Sequence, residues 1–168
     1  MPRSPSDLFD RHHLAIFRYV ARMTGSVDVA EDVTQEVFVR VIRRWTSYRD
    51  EDRESAWLFR IARNLITDRH RAASRVASER LGLVEPTAES TPELALDLDR
   101  AFDCLAADDR DAFLLRTLGG FGHDEIAELV GSTPAAVRSR IFRARALLRS
   151  KLASGDAPEK VELRRISP

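Results

Sequence analysis

The fold of this chain is decided by the stretch DEIAELVGSTPAAVRSRIFRARALL, which occupies residues 124–148. Residues 124–130 have the apolar spacing of a short helix, and residues 131–133 predict a turn. Pro134 then begins a longer helix that continues to about Leu152. A short helix, a glycine-containing turn and a longer basic helix form the pattern of a helix-turn-helix, a common reader of duplex DNA.

The longer helix separates into a packing face and an exposed face when its residues are spaced at about 100°. The packing face, a stripe about 60° wide, holds Val137, Ile141, Ala144 and Leu148. The opposite, exposed face has a compact centre made of Ser139, Phe142, Arg143 and Ala146. Arginines border this centre on both sides: Arg138, Arg145 and Arg149 on one side and Arg140 on the other. Arginines at these positions can form bidentate hydrogen bonds with guanine, and the flanking arginines can contact phosphates. The alternative is an arginine-rich surface helix that packs on its own domain; the preceding helix and turn favour DNA binding.

Helical periodicity continues toward the N-terminus, where three further amphipathic helices are predicted and no run alternates as a β-strand. The first has Leu8, Ile16, Phe17 and Val20 on its apolar side and ends near Thr24 and Gly25. The apolar side of the second holds Val29, Val33, Val37, Phe38, Val41, Ile42 and Trp45. After a polar loop at residues 46–54, Ser55 is the predicted N-cap of a third helix with Trp57, Leu58, Ile61 and Leu65.

The apolar pattern fades between residues 74 and 91, which indicates a linker. Beyond it, Thr91 and Pro92 predict a helix start. Asp108 is the predicted N-cap of the following helix, which Gly119 and Gly120 end. The sequence therefore predicts an all-α chain of two small helical domains joined by a flexible linker. Their bounds are 1–75 for the first domain, 76–92 for the linker, 93–153 for the second domain and 154–168 for a C-terminal tail.

Charge is segregated along the chain, although its 27 basic and 27 acidic residues cancel. Residues 60–75 carry a net charge of +4, and residues 81–111 carry −7. Residues 138–151 contain six basic residues and no acidic one. Two separated basic stretches, each on a helix with an apolar face, predict two contacts with a polyanion. A solvated helix face would be enough to explain one such stretch alone.

The basic side of the third helix follows a polar loop flanked by aromatic residues. The candidate contacts with single-stranded nucleic acid are Trp45, Tyr48, Trp57, Arg60, Arg63, Asn64, Asp68 and Arg71. Because aromatic rings stack on bases and arginines follow phosphates, this set fits a melted strand. Periodicity alone, however, favours core positions for Trp45 and Trp57.

The second helix carries an acidic set that consists of Glu31, Asp32, Gln35 and Glu36. Asp32 and Glu36 are four residues apart and therefore share one face of the helix. Paired carboxylates suit a metal or acid–base site, but no histidine or third carboxylate is placed to complete one. The set is better interpreted as a solvated or protein-docking face, and no metal or other cofactor is expected.

Composition excludes several classes of protein. With 168 residues, of which 43% are hydrophobic, the chain is long enough for one ordinary globular domain or two small ones. Its apolar runs are no longer than four residues, so neither a transmembrane helix nor a secretory signal is expected. The single cysteine, Cys104, excludes an internal disulfide and fits a reducing cytoplasm. On an apolar helix it is expected to be a packing residue.

Four segments together resemble a bacterial sigma factor of the sigma-70 family, of the short extracytoplasmic-function (ECF) type, over residues 8–152. AEDVTQEVF at 30–38 and AWLFRIARNLITD at 56–68 resemble the family's region 2. FLLR at 113–116, with Gly120 and EIA at 125–127, is similar to the first part of region 4. VRSRIFRAR at 137–145 is similar to the recognition helix of that region. The four motifs occur in the family's order around a linker.

The resemblance implies a promoter-specificity subunit of RNA polymerase, without catalytic activity, in the bacterial cytoplasm. Asp32, Gln35, Glu36 and Phe38 would dock on the clamp helices of the largest subunit of core RNA polymerase, and the second domain on the flap of the second-largest. The loop and third-helix residues given above would bind the melted −10 element. The −35 duplex would be bound by Arg116, Arg138, Ser139, Arg140, Phe142 and Arg143. An anti-sigma factor covering both domains is a further expected partner.

The start of the recognition helix departs from the family pattern, because Ser132, Thr133, Ala135 and Ala136 replace its usual residues. Thr133 can still cap the helix, but a phosphate contact from a threonine at position 136 is expected to be lost.

Two other classes of function remain open. A stand-alone helix-turn-helix regulator would bind duplex promoter DNA without polymerase. A metal-dependent enzyme would use His12, His13, Glu31, Asp32 or His123. It is disfavoured because the adjacent His12 and His13 point to different faces of their helix.

Overall fold

The computed structural model describes residues 4–45, 53–79 and 100–155, and all regular structure within those ranges is helical. Six helices are complete within them: α1 (Pro5–Thr24), α2 (Val27–Arg44), α3 (Glu54–Glu79), α4 (Ala107–Thr117), α5 (His123–Val130) and α6 (Pro134–Gly155). Residues 100–103 form a further helical segment. The predicted all-α fold class is confirmed. In the described ranges, no helix combines the length and apolar character that crossing a membrane requires.

Local chemistry sets both ends of α1. The Ser4 hydroxyl accepts a hydrogen bond from the Asp7 amide at 3.1 Å, and the Asp7 carboxylate accepts one from the Ser4 amide at 2.9 Å. This capping box satisfies amides that have no partner within the helix. At the other end, Gly25 has a φ of +68° and donates its amide hydrogen to the Ala21 carbonyl. The predicted end of the first helix is therefore confirmed.

Helices α1, α2 and α3 pack together and form what we call the N-terminal unit. Val33, Val37 and Val41 of α2 are fully buried, as are Ile16 of α1 and Leu58 of α3. Burial of each such side chain contributes roughly 1.5–3 kcal/mol. The valine repeat that predicted an amphipathic helix thus supplies the centre of this unit.

Helix α3 differs from its prediction at both ends. It begins at Glu54, so the predicted N-cap at Ser55 is wrong. The Glu54 carboxylate is nearly buried and binds the guanidinium of Arg11, and His12 Nε2 lies 3.2 Å from it. A carboxylate in the first turn is also stabilised by the positive end of the helix dipole. The helix continues to Glu79, beyond the point at which the apolar pattern fades.

The C-terminal unit, residues 100–155, contains α4, α5 and α6. The N-cap of α4 is Ala106, so the predicted cap at Asp108 is wrong. Asp108 instead lies in the first turn of α4, where it accepts a hydrogen bond from Arg140 of α6 at 2.8 Å. Gly120, with a φ of +72°, follows the end of α4 and supports the predicted stop.

Helices α5 and α6 form the helix-turn-helix. Gly131 ends α5 in the left-handed conformation, with a φ of +66°. Thr133 accepts the Ala136 amide hydrogen at 3.2 Å, which confirms that it caps the last helix. The predicted packing face is also confirmed, because all four of its residues are buried: Val137, Ile141, Ala144 and Leu148.

The N-terminal and C-terminal units pack against each other, with α1 on α4 and α3 on α5. Buried apolar side chains from both units belong to one continuous cluster. Cys104 lies outside it with an exposed side chain, so its prediction as a packing residue is wrong. Residues 46–52, which include Tyr48, fall outside the described residues, as do most of the predicted linker and tail.

Candidate nucleic-acid interface

The outer face of α6 presents the residues that the sequence assigns to duplex DNA. Phe142 is 74% exposed, and Arg138 and Ser139 are exposed beside it. A large apolar side chain with this exposure has no packing role in the described part of the chain. The face therefore offers a contact surface bordered by cations.

Two arginines of this face are held by carboxylates of α4. Arg143 donates from Nε and Nη2 to the two oxygens of Asp109, at 2.9 and 2.5 Å. These hydrogen bonds raise the pKa of the Arg143 guanidinium, which is charged in any case. Arg140 is similarly bound to Asp108. Asp109 is buried, whereas the Arg143 side chain remains 58% exposed and accessible from solvent.

Arg116 occupies a different position from the other residues assigned to duplex DNA. It lies in the last turn of α4 and donates a hydrogen bond to the Phe121 carbonyl at 2.7 Å. This bond closes the turn between α4 and α5, so Arg116 has a structural contact in the free chain. The residue is nevertheless exposed at the surface of the unit.

The residues of α3 assigned to single-stranded DNA divide into exposed and partly buried ones. Exposed side chains line its outer side: Arg60, Asn64, Asp68 and Arg71. Trp57 is partly buried and packs on the apolar cluster, as does Trp45 at the end of α2. Arg63 is partly buried and donates to Asp111 of α4 at 2.7 Å. The structure thus brings Arg63 of α3 against the C-terminal unit.

The exposed face of α2 carries Asp32, Gln35 and Glu36, together with the apolar side chains of Val39 and Ile42. Glu36 accepts a hydrogen bond from Arg40 at 2.8 Å, and Asp32 lies 3.6 Å from Arg69. Phe38, which the sequence placed with the docking residues, is 6% exposed and packs edge-on against Phe9. That assignment is corrected, because Phe38 points into the unit and supports the face from below.

Several residues that matter here were missed by sequence analysis. Asp108, Asp109 and Asp111 belong to the acidic stretch, yet they lie on α4 and bind arginines of α6 and α3. Glu128 of α5 binds Arg53 at 2.6 Å in the same way. The sequence contained one signal for these ion pairs. Acidic residues cluster in the first turn of α4, and α6, which packs against α4, is basic.

The histidines of the N-terminal unit have structural partners. His12 lies beside Glu54, whereas the His13 ring stacks on Phe9 and its Nδ1 lies 2.8 Å from the Phe9 carbonyl. Among the described residues, no three His, Cys, Asp or Glu side chains lie close enough together to hold a metal ion. We therefore interpret the acidic residues of α2 as an exposed, charged face of that helix rather than as metal ligands.

Comparison with known proteins assigns both units to one family. Residues 8–76 match the profile of Sigma-70 region 2, and residues 95–148 match that of Sigma-70, region 4. The chain is 35% identical over 157 residues to the ECF RNA polymerase sigma factor SigE of Mycolicibacterium smegmatis. That match covers 88% of this chain and 61% of SigE, less than two thirds of the relative's length.

A second relative is covered more completely. The ECF RNA polymerase sigma factor EcfG of Rhodopseudomonas palustris is 30% identical over 139 residues, covering 80% of this chain and 77% of EcfG. Among solved structures, the sigma factor RpoE of Bartonella quintana, in complex with the anti-sigma factor NepR, is similar with a TM-score of 0.73. That similarity has 26% identity and covers 84% of this chain and 91% of RpoE. With both regions matched in order, the chain belongs to the ECF group of the sigma-70 family of RNA polymerase sigma factors.

Proposed function

We propose that this chain binds core RNA polymerase and directs it to specific promoters. The observation that carries the proposal is the outer face of α6, where Phe142 and the surrounding arginines lie exposed on the second helix of a helix-turn-helix. That helix is the one that enters the major groove in proteins with this motif. The second basic helix, α3, lies in the segment that matches region 2.

The −35 element is bound as duplex DNA by α6 in this proposal. Arg143 reads base edges, because bidentate guanidinium contacts distinguish guanine from other bases. Arg138 and Arg140 flank it and contact phosphates, which position the helix without reading sequence. Ser139 and Phe142 occupy the centre of the face and approach the groove closely. The guanidinium of Arg143 can turn from Asp109 toward DNA, because its side chain is 58% exposed and solvent screens the pairing.

The −10 element is bound as a melted strand by α3 and the loop before it. Arg60, Arg63 and Arg71 follow the phosphates, and Asn64 hydrogen-bonds a base. Trp57 and Trp45 are partly buried and pack on the apolar cluster, and in this proposal their exposed parts contact the bases. Tyr48 and Asp68 complete the set that the family resemblance implies.

Core polymerase is bound through the acidic face of α2, with Asp32, Gln35 and Glu36 meeting basic residues of the clamp helices. Val39 and Ile42 add exposed apolar area beside the charges of that face, which favours a docking surface over a solvated one. The C-terminal unit contacts the flap of the second-largest subunit. An anti-sigma factor is a further partner, by analogy with the RpoE complex.

The chain performs no chemistry of its own in this proposal. It uses neither a metal nor another cofactor, because promoter choice depends on contacts with DNA and polymerase alone. It acts in the bacterial cytoplasm, where core polymerase and the chromosome are found.

Run-off transcription with core polymerase from the same organism, on a library of its genomic promoters, tests the proposed function. We expect transcripts from a limited set of promoters with shared −35 and −10 sequences, and none from core polymerase alone. Gel-shift assays on those promoters separate this function from that of a stand-alone regulator. Tight binding of the isolated chain to duplex promoters, with no effect on transcription start, would establish the regulator instead.

A further inference from the structure

An open cavity of about 700 Å³ lies between α1, the helical segment at residues 100–103, α4 and α6. Pockets that bind small molecules commonly have volumes of about 300–1,000 Å³ and are lined mainly by apolar side chains. The floor of this cavity is apolar and consists of Phe102, Phe113, Leu114, Leu118, Leu148 and Leu152. In both volume and lining, the cavity therefore resembles a ligand pocket.

Arginines from two helices surround this apolar floor and form what we call the basic rim. Arg18 and Arg22 lie four residues apart on α1, and Arg145 and Arg149 lie four residues apart on α6. Residues with this spacing share one face of a helix, so each pair places like charges side by side. No acidic side chain is among the described residues that line the cavity. The charge of the basic rim is therefore not neutralised by a lining carboxylate.

The basic rim differs in its pairing from the other arginines of α6. Arg140 and Arg143 are each bound to a carboxylate of α4. Arg18, Arg145 and Arg149 are exposed, and within the part of the chain that the structure describes they make no hydrogen bond or ion pair. Guanidinium groups bind carboxylates through two parallel hydrogen bonds. The cavity therefore favours an anionic ligand.

The basic rim and the apolar floor meet inside the cavity. The Arg22 guanidinium lies over the Phe102 ring, 4.8 Å from its centroid, in a cation–π contact. The Phe102 side chain is buried, as are those of Leu114 and Leu148. A ligand that enters the cavity must therefore match a positive charge and an apolar surface at adjacent positions.

We propose that this cavity binds a long-chain fatty acid, with the acyl chain on the apolar floor and the carboxylate among the arginines of the basic rim. A neutral lipid would leave the guanidinium groups without a partner, and a small inorganic anion would leave the apolar floor uncovered. A single flexible chain with an anionic end satisfies both surfaces. This inference goes beyond promoter recognition, because neither DNA nor polymerase takes part in the binding.

Binding of cis-parinaric acid, a naturally fluorescent long-chain fatty acid, tests the proposal in the full-length chain. The fluorescence of this probe rises when its acyl chain leaves water for an apolar site. We expect saturable binding below the concentration at which the probe forms micelles, and displacement of the probe by palmitate. Hexadecanol has the same chain length without the charge and should displace the probe about tenfold less well, because it lacks charge-assisted hydrogen bonds.

An arginine variant tests the basic rim. Arg145→Gln combined with Arg149→Gln removes two of its cations and should weaken palmitate binding by about five- to tenfold. Lysine at both positions keeps the charge and should restore most of the affinity. Arg43→Gln combined with Arg75→Gln makes the same charge change at exposed positions of α2 and α3, and it should bind palmitate as wild type does.

A leucine variant tests the apolar floor without a change in charge. The Leu152 side chain is 43% exposed, so Leu152→Gln should keep the fold while it weakens palmitate binding by about three- to fivefold. Val27→Gln makes the same substitution in size and polarity at a position of α2 that is 59% exposed, and it should match wild type. Circular dichroism checks that all variants keep their helix content.

Binding that palmitate displaces, and that both cavity variants weaken while neither control does, supports the proposal. Absence of probe binding to wild type overturns it, and so does a cavity variant that binds as its control does. Equal displacement by palmitate and hexadecanol also overturns it. Binding to phosphatidylglycerol vesicles without displacement of the probe by palmitate would show a membrane-binding surface instead. Because the assay contains neither polymerase nor DNA, its failure is distinct from failure of the proposed function in transcription.

Discussion

The guanidinium of Arg143 is held by Asp109 on the face of α6 that the proposed function assigns to the −35 element. A pair of this kind restricts the rotamers of a long side chain before DNA arrives, which lowers the entropy lost on binding. The Arg143 side chain is more than half exposed, whereas its partner Asp109 is buried. We therefore expect this pair to orient Arg143 for the base contact that the proposed function assigns to it.

Substitution of Arg143 by alanine tests this role. We expect promoter use to fall by about 1–3 kcal/mol, with the loss confined to one or two positions of the −35 element, because a bidentate base contact is removed. The measurement is run-off transcription on a set of single-base −35 variants. Arg138→Ala serves as the matched comparison and should weaken all variants equally, since it removes a phosphate contact. An equally uniform loss in Arg143→Ala would remove its base-reading role.

At the scale of elements, the helix-turn-helix depends on one backbone conformation. Gly131 has a φ of +66°, and no atom lies within 4 Å of the position that a Cβ would take. A substitution there therefore costs backbone strain without a clash. The left-handed conformation of Gly131 ends α5 and lets the chain turn toward α6.

Gly131→Ala should lower the free energy of unfolding by about 1–2 kcal/mol, the cost of a left-handed alanine. Gly131→Asn should lose less, because asparagine tolerates this conformation. Urea denaturation followed by circular dichroism measures both. Equal losses in the two variants would show that the cost arises from side-chain packing and not from the backbone.

The acidic face of α2 is tested by Asp32→Arg combined with Glu36→Arg. We expect co-purification with core polymerase to be abolished, because the exposed carboxylates become positive charges facing a basic partner. Asp10→Arg combined with Asp124→Arg makes the same charge change on exposed positions of α1 and α5 and should leave co-purification intact. Retention of the polymerase by the α2 variant would exclude this face as the docking site.

Elements were predictable from sequence wherever the deciding information is local. The valine repeat of α2 and the four-residue packing face of α6 were predicted because periodicity reports which side of a helix is buried. Predicted caps at Ser55 and Asp108 failed because each helix begins before the predicted residue. Helix α3 begins at Glu54, and α4 follows Ala106, whose side chain makes no capping hydrogen bond that a sequence pattern could reveal. The Asp111 pairings were not predictable, because its partners lie 92 and 48 positions away in the chain.

At the scale of the whole molecule, the two units share one buried cluster, and Asp111 is its polar centre. The net charge of zero therefore has a structural meaning: acids of the C-terminal unit lie on arginines of both basic helices. Polar groups buried in this way couple the stability of the two units, since removing one partner leaves the others with unmet hydrogen bonds.

Asp111→Ala should uncouple the units and lower the stability of the contact by about 1–3 kcal/mol, because Tyr19 and Arg63 lose their acceptor. Both tryptophans lie in the N-terminal unit, so their fluorescence follows that unit, while circular dichroism follows all helices. In wild type the two thermal unfolding curves should coincide. In the variant they should separate; coincident curves in both proteins would contradict the coupling.

The exposed side chain of Cys104 gives this chain a built-in attachment point for a spectroscopic probe. It is the sole cysteine of the sequence, so a thiol-reactive dye labels one position without any substitution. Two residues earlier, Phe102 lies beneath the guanidinium of Arg22 from α1, at 4.8 Å from the ring centroid. A fluorophore at Cys104 would therefore sit at the seam between the two units, where its emission can report assembly with polymerase in real time.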